Sequence, residues 1–130
     1  MIGLDTNIVV RYLIHDDAAQ TSKAVKLMGS LSQEYPGFLS LTVIAELVWV
    51  LRIFYSFKKA EIEQVLDTLL QSKELVIERA EVVWQALRQF RASHADFADC
   101  LIERCGHAAE CQYTVTFDEN AVSAGMKLLR

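Results

Sequence analysis

Apolar and polar positions along this chain follow two periods. Short apolar runs at Ile2–Asp5, Phe38–Leu41, Leu75–Ile77 and Tyr113–Phe117 have strand length. Between them apolar residues recur at helical spacing, which predicts helices over Thr6–Ile14, Ala18–Leu31, Thr42–Phe54, Lys59–Gln71, Ala80–Ala92 and Phe97–Glu110. Tyr35-Pro36-Gly37 marks a turn, and Ser40 and Thr42 open the helix beyond it. Gly125 precedes Met126-Lys127-Leu128-Leu129, which adds one more short strand.

Strands that alternate with helices predict parallel pairing, because parallel neighbours need long crossovers. The expected fold class is α/β, a three-layer α/β/α arrangement with a central parallel sheet of about four to five strands. The helix Val43–Phe54 is apolar nearly all round. One face can pack on the sheet, and the surplus requires another helix or a second subunit, so a homodimer is expected.

At 130 residues the chain has the size of one domain, 1–130. It is 52 % hydrophobic and 23 % charged with a single proline, which excludes a long disordered tail. Cys100, Cys105 and Cys111 are odd in number and lack paired metal-ligand spacing, so buried, reduced thiols in a cytoplasmic protein are expected. Phe38–Tyr55 is long and apolar, but Glu46 and Arg52 inside it would each cost about 2.5–3.5 kcal/mol in a bilayer, so no membrane span is expected. The net charge of −4 argues against non-specific binding to a polyanion. It leaves room for a cluster of carboxylates whose bound cations reverse the local field.

The candidate chemistry lies in such acids. Asp5 and Asp118 end the first and last strong apolar runs, which places both at the carboxyl ends of expected buried strands, where ligands of open α/β sheets bind. Each has a plainer role as a helix cap. Glu46 falls within an apolar helix, and burial there would demand a cation partner. Asp96 and Asp99 bracket a helix start at i, i+3 and share one side of its first turn. Oxygen-rich sites of this kind suit Mg2+ or Mn2+ and point to phosphoryl transfer by a metal-activated water. Arg11 lies on the helix that starts at Asp5 and is the basic residue expected nearest the site.

Four segments resemble, in order and spacing, the PIN-domain ribonucleases, and among them the VapC toxins of bacterial and archaeal toxin–antitoxin pairs. They are Leu4-Asp5-Thr6-Asn7 with Val10-Arg11-Tyr12-Leu13, Thr42-Val43-Ile44-Ala45-Glu46-Leu47, Asp96-Phe97-Ala98-Asp99-Cys100-Leu101-Ile102, and Thr114-Val115-Thr116-Phe117-Asp118. The resemblance implies a PIN fold and metal-dependent RNA cleavage, with Asp5, Glu46, Asp99 and Asp118 as an acidic quartet and Asp96 as an auxiliary acid. It further implies that Thr6, Asn7 and Thr116 orient the acids or the water, and that a VapB-like antitoxin neutralises the enzyme. Cys100 departs from the alanine frequent in that family.

Two other functions remain to be weighed. A haloacid-dehalogenase-like phosphatase would use Asp5 as a covalent nucleophile after a strand, but it wants a second aspartate where this chain has Asn7. A non-catalytic PIN-like interaction module would have little reason to retain every acid, above all a buried Glu46.

Overall fold

The computed structural model describes residues 1–130 and resolves them into two compact units, Met1–Glu78 and Arg79–Arg130. In the first unit the order is β1 (Ile2–Gly3), α1 (Thr6–Leu13), α2 (Ala18–Ser30), β2 (Gly37–Leu39), α3 (Leu41–Tyr55), α4 (Lys59–Gln71) and β3 (Leu75–Ile77). The strands run parallel in the order β1-β2-β3, with Gly3 opposite Phe38 and Phe38 opposite Val76. Each crossover contains two helices, as parallel pairing requires.

Sequence accounts for most of these boundaries. Asp5 precedes α1 and its carboxylate accepts from Thr6 N at 2.7 Å, while Asp17 caps α2 by accepting from Gln20 N at 3.0 Å. Ser40 caps α3 through a bond from Val43 N at 3.1 Å. That helix stops at Ser56, whose left-handed backbone (φ 54°, ψ 35°) turns the chain away. On α3 the fully buried Ile44, Leu47 and Leu51 recur at i, i+3 and i+7. On α4, with which α3 packs, the buried Ile62, Leu66 and Leu69 recur at i, i+4 and i+7. Each such side chain contributes about 1.5–3 kcal/mol by leaving water.

The second unit comprises α5 (Ala80–Ala92), α6 (Phe97–Ala108), β4 (Val115–Thr116), α7 (Glu119–Val122) and β5 (Lys127–Leu128). Helices α5 and α6 pack together, and Phe90 meets Phe97 edge to face with ring centroids 5.9 Å apart. Strands β4 and β5 pair in parallel, with Val115 opposite Lys127. Glu103, on α6, is a buried carboxylate held by Arg104 through two bonds of 2.8 and 3.0 Å and by Gln89 of α5 at 2.8 Å.

The strands are parallel as expected, three pairing in the first unit and two in the second. Several expectations need correction. With two residues each, β1 and β4 offer little ladder to extend. Nor are they buried: Ile2 and Val115 are exposed, as fits a sheet edge. Cys100 is a buried thiol as expected, whereas Cys105 is half-buried and Cys111 exposed. No helix is long and apolar enough to cross a membrane.

Candidate active site

The predicted acids fall into two sets, one in each unit. In the first unit, Asp5 and Glu46 line one cavity of about 420 Å³. The wall contributed by α1 holds Thr6, Asn7, Val10 and Arg11, two pairs at i, i+4 on neighbouring stripes of the helix. The wall contributed by α3 holds Glu46, Val50 and Phe54, again four residues apart, with Tyr55 beside them. Both helices present these faces because they pack against each other while their remaining apolar positions enter the core.

Glu46 is exposed, not buried. Its two chain neighbours toward the carboxyl end, Leu47 and Val48, take the core positions, and the helical period turns Glu46 outward into the cavity. The desolvation argument for a cation at this residue therefore falls, and its candidacy rests on its sharing a cavity with Asp5. Trp49, Ile53 and Phe54 are also exposed, and Trp49 stacks edge to face on Phe54 at 5.5 Å.

Thr6 differs from its neighbours. It is 95 % buried, being 5 % exposed, yet its Oγ1 has no hydrogen-bond partner. A buried hydroxyl left unpaired costs on the order of 1–3 kcal/mol, so its retention beside two carboxylates fits a site that holds a bound water or ligand. Arg11, in contrast, is heavily engaged. Its Nε donates to Gln20 Oε1 at 2.6 Å and its Nη1 donates to Asp16 Oδ1 at 2.9 Å and to the Tyr55 hydroxyl at 3.3 Å. The Tyr55 bond leads the interactions that raise the guanidinium pKa, with Asp16 adding to it.

In the second unit, Asp96 precedes α6, Asp99 lies in its first turn, and Asp118 precedes α7. Thr116 Oγ1 accepts from Asp118 N at 3.0 Å, and Asp118 Oδ1 accepts from Asn120 N at 2.8 Å. Thr116 thus fixes the backbone that presents Asp118. Asp99 is half-buried, and its carboxyl pKa is raised, first by burial and then by the charges of Asp96 and Asp118. The negative charge that Asp96 and Asp118 place on Asp99 makes this a spot where positive charge is favoured. Within neither unit do three carboxylate, imidazole or thiol groups converge as ready ligands of one ion. A hard cation would take one or two of these carboxylates and complete its shell with water and substrate oxygen.

Sequence reading placed Arg11 near the site but missed Asp16, Gln20 and Tyr55, which hold it. Tyr55 lies 44 positions away, so no local pattern could link the two. Glu103 was also missed, since an acid beside Arg104 reads as an ordinary surface pair.

The family model of the PIN domain matches residues 2–125, and the chain belongs to that family. Its fold is the helix-rich α/β fold with parallel strands expected of a PIN domain. Among solved structures it is similar to VapC20 of Mycobacterium tuberculosis, a sarcin–ricin-loop-cleaving toxin, with 19 % identity, a TM-score of 0.46 and coverage of 100 % of this chain and 99 % of the other. It is also similar to FitAcB from Neisseria gonorrhoeae, with 19 % identity, a TM-score of 0.39 and coverage of 100 % and 97 %. No curated protein matches it in sequence.

Proposed function

We propose that the chain is a single-domain, metal-dependent endoribonuclease and the toxin of a VapBC-type pair. Its acidic quartet would be Asp5, Glu46, Asp99 and Asp118, with Asp96 auxiliary. The observation that carries this reading is the meeting of Asp5 and Glu46, distant in sequence, in one cavity of a PIN-family chain. The unpartnered Thr6 Oγ1 in the same wall supports it.

The donor set consists of hard carboxylate and hydroxyl oxygens, which fits Mg2+ or Mn2+. Such an ion, when bound, supplies the charge that activates water and stabilises a leaving oxygen. The protein's own residues do the rest. Asp5 is fixed by its bond from Thr6 N, and Asp118 by Thr116 and Asn120. Thr6 Oγ1 and Asn7 orient a water or a carboxylate. The raised pKa of Asp99 leaves it ready to share charge with a cation, whose arrival favours the ionised form.

Partners follow from the same reading. A VapB-like antitoxin would restrain the enzyme, and a second copy of the chain would cover Trp49, Ile53 and Phe54 on α3. We place the protein in the cytoplasm, with its thiols reduced.

The test is hydrolysis of single-stranded RNA by protein freed of contaminating nuclease. Cleavage should require Mg2+ or Mn2+, and Asp118→Asn and Glu46→Gln should each lower kcat/KM by at least about 100-fold, since several kcal/mol of charge stabilisation depend on the metal. Full cleavage in excess EDTA would sink the reading.

A further inference from the structure

A second cavity, of about 340 Å³, lies between α1 and α2 and shares Asn7 and Arg11 with the acidic one. Its α2 wall is Gln20, Lys23, Ala24 and Leu27, at i, i+3, i+4 and i+7. The lining divides by chemistry. Ile8, Ala24 and Leu27 make an apolar floor, Asn7 and Gln20 supply amides, and Arg11 and Lys23 supply cations; no carboxylate lines it.

Arg11 stands where the two cavities meet. Three of its donor bonds are directed to Gln20, Asp16 and Tyr55 through Nε and Nη1. Nη2 keeps both of its hydrogens for another acceptor. Asp16 balances the Arg11 charge at 2.9 Å, so the added positive charge of this cavity comes from the exposed Lys23. A fixed guanidinium edge and a free ammonium beside an apolar floor suit a phosphate attached to a sugar or base.

We infer that the α1–α2 cavity is a subsite for the RNA nucleotide next to the scissile phosphate, with Lys23 and Arg11 Nη2 binding its phosphate. This rests on the ribonuclease reading of the neighbouring acids. Asp16, Gln20 and Tyr55 act here as positioning residues for Arg11. An acidic peptide could use the same cations, but the amides and apolar floor, and the sharing of Asn7 and Arg11 with the acidic cavity, favour a nucleic-acid strand.

The probe is a short, fluorescently labelled single-stranded oligoribonucleotide, titrated in EDTA so that binding is read without cleavage. For single strands each phosphate neutralised by a protein cation adds about 0.7 to the steepness of log affinity against log salt. Lys23→Gln should flatten the slope by that amount. Arg11→Lys keeps the charge but cannot span Gln20, Asp16 and Tyr55, so it should lower affinity at least about fivefold with little change in slope. The thermal melt of each variant checks its fold, and the surface change Lys23→Gln keeps the test decisive if Arg11→Lys is unstable. Undetectable binding, an unchanged slope in Lys23→Gln, or capture of polyglutamate in place of RNA overturns the subsite. Binding with these dependences but without metal-dependent cleavage would retain the subsite and remove the nuclease reading. Cleavage with unaltered slopes would do the reverse.

Discussion

The Tyr55 hydroxyl donates to Asp16 Oδ2 at 2.8 Å, a bond across 39 positions that ties the end of α3 to the loop after α1. The other oxygen of the same carboxylate receives Arg11, so one acid organises two helices. Tyr55→Phe removes the hydroxyl alone and should cost about 0.5–1.5 kcal/mol, the usual net worth of such a bond. A double-mutant cycle with Asp16→Asn should show a coupling of at least about 0.5 kcal/mol by urea denaturation. Strict additivity would mean that the network is a surface arrangement without energetic content.

Asp99 provides a test by pH. Its raised pKa means that the folded protein holds this proton more tightly than the unfolded chain. The associated stability is complete below the ordinary value of 3.8 and is lost as pH rises through the raised pKa. Without metal, Asp99→Asn should therefore melt higher than the parent near neutral pH, with the difference closing below about pH 4. A lower melting temperature at neutral pH would show that the carboxylate is structural.

Glu103 should behave in the opposite sense. Its pKa is lowered, chiefly by the Arg104 bonds and further by Gln89, against the opposing effect of burial. That stability is present above the ordinary value of 4.5 and fades as pH falls through the lowered pKa. Glu103→Gln should cost about 1–3 kcal/mol at neutral pH, and calorimetry in acid should show the gap narrowing.

Gly125 is the one glycine at positive φ, +101°. A Cβ there would meet Glu103 Cδ at an ordinary 3.6 Å, so space is not the obstacle. The backbone is, because L side chains rarely adopt this region. Gly125→Ala should destabilise by about 1–3 kcal/mol in chemical denaturation, and a neutral result would show that the turn before β5 relaxes freely.

The exposed trio on α3 predicts self-association. Trp49→Glu should shift the protein toward the 14.7 kDa monomer in light scattering at micromolar concentrations. A parent that is already monomeric there would contradict the homodimer.

Local chemistry made much of this fold legible in the chain. Asp5 and Ser40 announce their helices because a short side-chain oxygen can satisfy a free N–H within a few residues. The interval of Ile44, Leu47 and Leu51 identifies the buried face of α3 for the same reason of short range. The motifs around Asp5, Glu46, Asp99 and Asp118 likewise sufficed to indicate the family that the match over residues 2–125 shows. Composition misled where it stood in for orientation. An apolar neighbourhood suggested a buried Glu46, but a helix has an outward face even when most of its residues are apolar.

The sequence by itself determined the alternation of strands and helices and, through the long crossovers, their parallel pairing. The two-residue lengths of β1 and β4 and the short helix α7 did not show in it, because caps and helical spacing act within a turn whereas strand length depends on neighbours distant in the chain. Only the tertiary structure decided that Asp5 and Glu46 face one cavity, that Asp118 acts on Asp99, and that Tyr55 and Asp16 hold Arg11 beside a second cavity. These are meetings of side chains far apart along the chain. Their geometry follows from which helix faces pack together, a choice made by the whole core rather than by any local run of residues.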